Sequence, residues 1–285
     1  MSDHVHLHEV GPRDGLQNEK AVIGVDRKVA LIDLLSGSGL QDIEVGSFVS
    51  PKWVPQMADT PEVLGQMQRA AGVTYGVLVP NMRGWDGFAP FANGPFEIAV
   101  FISASEGFSQ ANLNCSVRES VARAAPVVTA AQEAGVGVRG YVSCVTDCPF
   151  DGPVAPDAVA EATGLLRALA PMQVSLGDTI GKGTPERVGA MLEAVLHDTP
   201  ADQLAGHFHD TTGLATRNIA VALDLGLRHF DSAVGGLGGC PYAPGAPGNV
   251  ATETVLEMLD KQGWHHGVDR DVIAKAAVMA KGMRA

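Results

Sequence analysis

Residues 40–62 read LQDIEVGSFVSPKWVPQMADTPE, and the passage changes period half-way along. LQDIEV is a short apolar run rich in β-branched residues, which predicts a strand. Thr60-Pro61-Glu62 then sets a proline and an acid where a helix begins. Residues 73–79, VTYGVLV, repeat the strand signal, and helical periodicity resumes near Arg83. Working outward, runs of the same kind begin near His4, Gln41, Val73, Phe96, Val136, Gln173, Gln203 and Arg228, most of them followed by a longer helical segment. Eight strand–helix units in roughly 250 residues predict a parallel sheet closed into a (β/α)8 TIM barrel, with function at the carboxyl ends of the strands. An open, doubly wound sheet is the structural alternative. The tail from Asp269 to Ala285 predicts an additional C-terminal helix, and residues 1–285 are expected to form one domain.

With 285 residues, 46% of them hydrophobic, the chain can bury a full core. Its net charge of -12, with Lys and Arg scattered, provides no footprint for nucleic acid or anionic lipid. The N-terminus lacks a basic region followed by an apolar run, and no stretch of 18 apolar residues occurs, so a cytoplasmic protein is expected. Cys115, Cys144, Cys148 and Cys240 form no CxxC pair and read as reduced thiols. Cys144 and Cys148 are close enough in sequence for a regulatory disulfide to be the alternative to packed thiols. GGLGGCPYAPGAPG, Gly235 to Gly248, follows the eighth strand and reads as a lid or binding loop.

In GHFHDTTG, His207 and His209 stand two apart at the end of a predicted strand, so both imidazoles face one side. Asp14 follows strand one in EVGPRDG, and Asn249 follows strand eight. Strands one, seven and eight therefore bring ligand candidates to one rim. Two imidazoles, a carboxylate and an amide oxygen suit octahedral Mg2+ or Mn2+ better than a closed tetrahedral zinc site, with zinc or cobalt as possible substitutes. His4, His6 and His8 also alternate, but at the amino end of strand one, where a structural role is expected. GDTIGKGTP lacks the spacing of a phosphate loop, which disfavours nucleotide hydrolysis.

EVGPRDGLQNE, IEVGSFVSPKWVPQM, RGYVSCV, SLGDTIGKGTP, HFHDTTG and AVGGLGGCPYAPGAPGN together resemble the 3-hydroxy-3-methylglutaryl-CoA lyase family over nearly the whole chain. The Arg-Asp pair and the HxH are shared more widely with metal-dependent Claisen enzymes, whereas SFVSPKWVPQ and GLGGCPYA are more specific. The resemblance implies metal ligands at Asp14, His207, His209 and Asn249, a catalytic arginine at Arg13, a catalytic cysteine at Cys240 and a supporting Glu44. It also implies a substrate neighbourhood of Arg13, Gln17, Ser47, Arg139, Tyr141, Ser175 and Asp178, an acyl-CoA substrate, a homodimer or larger homo-oligomer, and a place in leucine degradation or ketone-body formation. The sequence departs from the family at Asp210–Leu214, where an aromatic and a glutamine are expected, and at Pro244 and Pro247, which stiffen the loop. The alternative specificities are citramalyl-CoA or an isoprenoid-extended glutaryl-CoA.

Retro-Claisen cleavage of a 3-hydroxyacyl thioester to acetyl-CoA and a keto acid needs a hydroxyl proton removed and an enolate stabilised. Asp14, His207 or a metal-bound water could accept the proton. Arg13, a permanently charged planar donor, suits the enolate oxygen. Cys240, flanked by Gly236, Gly238 and Gly239, suits protonation of the enolate carbon. Glu44 either orients Arg13 or a bound water, or is an interior salt-bridge partner. Lys52, Lys182 and Arg139 are candidates for the CoA phosphates. A synthase of the same superfamily, or a silent binding barrel, are the competing readings.

Overall fold

Strands alternating with amphipathic helices close into a barrel because the strands carry two different faces. A computed structural model describes residues 3–238 and 248–284. Its strands are β1 (His6–Glu9), β2 (Asp42–Ser47), β3 (Thr74–Leu78), β4 (Phe96–Ser103), β5 (Gly137–Ser143), β6 (Gln173–Asp178), β7 (Leu204–Phe208) and β8 (His229–Ser232). All neighbours pair in parallel, and β1 pairs with both β2 and β8, so the sheet is a closed TIM barrel. Each strand begins within three residues of its expected start, apart from a short antiparallel pair, Asp147–Cys148 with Gly152–Pro153, that the sequence did not announce.

The outward faces are aliphatic. Val138 and Val142 on β5, Val174 and Leu176 on β6, and Ile98 and Val100 on β4 are buried in one continuous core with the helices. The intervening residues point inward and are largely polar. Tyr141 on β5 reaches Glu44 on β2, and Arg139 on β5 reaches Asp231 on β8, contacts between non-adjacent strands that only a shared interior allows. A smaller apolar cluster of Leu78, Ala99 and Tyr141 lies within that interior.

The helices follow the start signals. The helix α1 (Val25–Ser36) follows the first loop, and α2 (Thr60–Gln66) carries Pro61 in its first turn as expected. In α3 (Met82–Phe88) the Asn81 side chain caps Gly84 N, and α4 (Glu106–Leu113) is capped by Ser105. A reciprocal Ser116–Glu119 capping box opens α5 (Val117–Glu133). The remaining helices are α6 (Pro156–Arg167), α7 (Pro185–Leu196), α8 (Ala215–Asp224) and α9 (Thr252–Gln262). The expected C-terminal helix is α10 (Arg270–Gly282), whose cap Asp269 accepts from Asp271 N and Val272 N. It packs against α1 and the Val234–Gly236 turn. No helix among the described residues is long and apolar enough to cross a membrane.

Candidate metal centre

At the carboxyl end of β1 the chain makes a single tight turn, Gly11–Gly15, which carries Arg13 and Asp14 over the barrel mouth. Glu9 holds this turn. Its Oε1 accepts from Gly11 N and Val234 N at 2.8 Å each, and its Oε2 accepts from Thr252 Oγ1 at 2.6 Å. One buried carboxylate thus fastens the β1 turn to both stems of the glycine-rich loop. Burial pushes the Glu9 carboxyl up to about 7.

Asp14, His207 and His209 converge, with one ligand atom of each lying within 4.8 Å of the others. Among the described residues no other group of three His, Cys, Asp or Glu does so, and His4 and His6 instead pack edge to face while His6 stacks on His229. His207 donates from Nδ1 to Asp231 Oδ2 at 3.0 Å, which leaves Nε2 for a ligand. Burial pulls the His209 pKa down to about 4, so this imidazole is neutral, as a metal ligand must be. Its buried Nδ1 has no hydrogen-bond partner among the described residues. For Asp14, burial opposes ionisation but the charges of Arg13 and His207 outweigh it, and its carboxyl sits below the ordinary value. The donor set therefore fits a divalent cation. Asn249 lies against the same carboxylate, donating from Nδ2 to Asp14 Oδ2 at 2.7 Å and to Leu237 O at 3.3 Å. A half-turn of the amide would exchange that nitrogen for its oxygen.

Arg13 is buried beside the centre. It donates from Nη1 to Asp14 at 2.8 Å and from Nη2 to Glu44 Oε2 at 2.7 Å, while Arg13 Nε and Glu44 Oε1 have no partner among the described residues. Gln17 donates to Asp14 Oδ1 at 2.9 Å, and Tyr141 donates to Glu44 Oε2 at 3.4 Å. Arg13, Asp14, Gln17, Tyr141, His207 and His209 all line an open cleft of about 880 Å³, whose wall continues past Trp53 and along α4 to Leu113.

The other expected substrate residues stand elsewhere. Arg139 and Ser175 lie deeper in the barrel, both donating to Asp231, at 2.6 and 2.7 Å. Arg139 also bonds Gln173 and is only 4% exposed, so a coenzyme phosphate does not reach it as it stands. Asp178 is buried and accepts from Thr146 Oγ1, Gly183 N and Lys182 N, which shapes the turn after β6. Ser47 bonds Leu78 O and Val49 N, which shapes the turn after β2. Lys52 and Lys182 are exposed. Cys240, Pro244 and Pro247 lie outside the described residues; Cys115, Cys144 and Cys148 are buried free thiols. Asp231 and Glu9 escaped the sequence reading. The faint signal for Asp231 is an acid inside the strand HFDS, two residues past His229 and on the same face.

A parallel eight-stranded barrel that gathers Asp, His and His at its carboxyl rim, beside an arginine clamped by a glutamate, defines a TIM-barrel protein with a candidate divalent-metal centre. The comparisons narrow that class. Residues 4–279 match the HMGL-like family, and the chain belongs to it. It is 52% identical over 274 residues to the hydroxymethylglutaryl-CoA lyase of Pseudomonas mevalonii, covering 96% of this chain and 90% of that one. To the 3-hydroxy-3-isohexenylglutaryl-CoA/hydroxy-methylglutaryl-CoA lyase of Pseudomonas aeruginosa it is 53% identical over 272 residues, covering 95% and 90%. The crystal structure of the HMG-CoA lyase from Brucella melitensis superposes with a TM-score of 0.96 at 56% identity, covering 99% of each chain. The chain is accordingly a carbon–carbon lyase.

Proposed function

We propose that the protein cleaves 3-hydroxy-3-methylglutaryl-CoA to acetyl-CoA and acetoacetate with the help of Mg2+ or Mn2+, residues 1–285 forming one catalytic domain. The observation that carries this reading is the convergence of Asp14, His207 and His209 beside the buried Arg13–Glu44 pair, all but Glu44 on the wall of one cleft. A divalent cation held by these three residues and by Asn249 through its amide oxygen would supply Lewis-acid activation and orientation of the substrate hydroxyl.

The rest of the work falls to the chain. Arg13 is locked by two carboxylates, which fixes its plane before substrate arrives, and a preorganised guanidinium of this kind stabilises the enolate oxygen by about 3–4 kcal/mol. Glu44 acts as the orienting partner of Arg13, and Tyr141 buttresses Glu44 from across the barrel. Gln17 holds Asp14 by donating to the same oxygen as Arg13. Cys240 delivers the proton to the enolate carbon from the loop whose stems Glu9 fastens. The cleft leading out past Trp53 and Leu113 takes the pantetheine arm. A homodimer or larger homo-oligomer, a cytoplasmic location and a role in leucine degradation accompany this reading, supported by likeness to the family.

The relative from Pseudomonas aeruginosa, whose name includes an isohexenyl substrate, keeps an extended acyl group as the second reading. Acetyl-CoA release from 3-hydroxy-3-methylglutaryl-CoA, from its isohexenyl analogue and from citramalyl-CoA, followed with and without EDTA and in Cys240→Ala, tests both. EDTA-sensitive, Cys240-dependent release from the first substrate is expected. Release from citramalyl-CoA alone would move the specificity, and no release from any of the three by protein that still binds Mn2+ would refute the lyase reading.

A further inference from the structure

The inward layer of a TIM barrel is ordinarily filled by branched aliphatic side chains. Here the layer directly beneath the metal centre holds a buried ion pair, Arg139 with Asp231, at 5% and 0% side-chain exposure. Such a pair is weak evidence for stability, because the desolvation of both charges offsets their attraction, so its position calls for another explanation.

Strand register supplies it. Asp231 on β8 is aligned with His207 on β7, and His8 on β1 is aligned with Asp231, so the three are lateral neighbours on the inward face. Asp231 uses both oxygens. Oδ1 accepts from Arg139 Nη2 at 2.6 Å, while Oδ2 accepts from Ser175 Oγ at 2.7 Å and from His207 Nδ1 at 3.0 Å. Arg139 is held in turn by Gln173 on β6. Partners on β5, β6 and β7 therefore fix one carboxylate on β8, and that carboxylate grips Nδ1 of His207, leaving Nε2 for a ligand.

We infer that Asp231 is a positioning residue for the metal centre: it selects the His207 tautomer with its proton on Nδ1 and aims Nε2 at the cation, with Arg139 and Ser175 holding Asp231 in place. The inference rests on the metal-site reading above. A carboxylate is an acceptor only, so the bond from His207 fixes which nitrogen carries hydrogen. An outer carboxylate of this kind typically contributes a factor of about 10 to 100 in metal affinity. Arg139 and Ser175, which the family resemblance placed at the substrate, act in this scheme through Asp231.

The test measures Mn2+ affinity by electron paramagnetic resonance in the parent, in Asp231→Asn, and in the double variant Asp231→Asn/Arg139→Gln. The double variant removes both buried charges together and leaves neither unpaired. In parallel, 15N NMR of histidine-labelled, metal-free parent at mildly alkaline pH reads the His207 tautomer. The expected results are an Nδ1-protonated His207 in the parent and a Mn2+ dissociation constant about 10- to 100-fold weaker in the variants, with the circular dichroism of the folded protein retained. An Nε2-protonated His207 in the metal-free parent would overturn the inference even if neither variant folds. Mn2+ binding by a folded variant as tight as in the parent would overturn it alone, leaving the metal site standing. A parent with no Mn2+ affinity would overturn both.

Discussion

Replacing Glu9 by glutamine keeps the geometry of its anchor and removes its charge. The amide Oε1 can accept from Gly11 N and Val234 N as the carboxylate does, while Nε2 donates to Thr252 Oγ1, which passes its own hydrogen to Ser232 Oγ at 2.9 Å. What changes is titration. Burial raises the Glu9 carboxyl from 4.5 to about 7, the nearby charge of Glu253 adding to the rise and the bonds from Thr252, Val234 and Gly11 opposing it. Between those values the folded protein keeps a proton that the unfolded chain has released. Stability from this group is therefore intact below about pH 4.5, falls as the pH climbs, and levels off above about pH 7. At about 1.4 kcal/mol for each pH decade between the two values, the parent loses up to about 3 kcal/mol across the window. Urea unfolding of parent and Glu9→Gln, both with EDTA, should show the variant gaining about 2–3 kcal/mol relative to the parent between about pH 5 and pH 8. A difference between the two proteins that stays constant over that range would refute the argument, since it would mean that Glu9 ionises alike in the folded and unfolded chain.

Arg13→Lys breaks the fork that grips both Asp14 and Glu44, so kcat should fall about 100- to 1,000-fold while Mn2+ affinity, read by titration, changes little. In Gly15→Ala the new Cβ would sit 2.5 Å from Leu237 Cβ, and because the Leu237 carbonyl anchors Asn249, thermal unfolding should report a loss of about 1–3 kcal/mol together with weaker Mn2+ binding. Lys28 is buried and donates to both oxygens of the partly exposed Asp59, so Lys28→Met should lower stability by about 2–4 kcal/mol in urea and leave kcat near the parent value. Mn2+ at a hundred times its dissociation constant should stabilise the fold by about 2.7 kcal/mol in a thermal melt, an increment that EDTA reverses and that His207→Ala abolishes.

The barrel was legible in the sequence because its outer faces obey a local rule. Runs such as VTYGVLV must bury against helices whatever the neighbouring strands do, so each strand start falls within three residues of the structure. Asp14, His207 and His209 were legible for a similar reason: strand-end position alone sends them to one rim. The interior layers were not, because depth in a barrel depends on register between strands distant in sequence. Arg139 and Tyr141 illustrate the difference. Both point inward from β5, but two residues of strand rise separate them by about 6–7 Å along the strand, so Tyr141 lines the cleft and Arg139 lies in the layer below. Proximity to a strand end reads Arg139 as a rim residue, and the family resemblance places both at the substrate. The same limit hid Asp231, whose partner His207 is 24 positions earlier, and Glu9, whose partners Val234 and Thr252 are more than 200 positions later.

These hidden residues share a design. Four elements at the rim are each held by a buried carboxylate: the Gly11–Gly15 turn by Glu9, Arg13 by Glu44, the turn after β6 by Asp178, and His207 by Asp231. All four carboxylates are fully or almost fully buried. Uncompensated, each burial would cost several kcal/mol, so the pattern is tolerable only because every one of them is bonded to backbone N–H groups, to an arginine or to a histidine. Loops at the mouth of a barrel are the least constrained part of the fold. The candidate metal centre draws on one strand and two loops, and binding a cation there would require its ligands to hold still relative to one another. The strand lends His207 its register, and the loops, lacking register, borrow rigidity from Glu9. Glu9→Ala, which removes the acceptor that glutamine retains, should therefore disturb the placement of Asp14 and Asn249 together, whereas variants at Asp231 should disturb, among the candidate ligands, His207 alone.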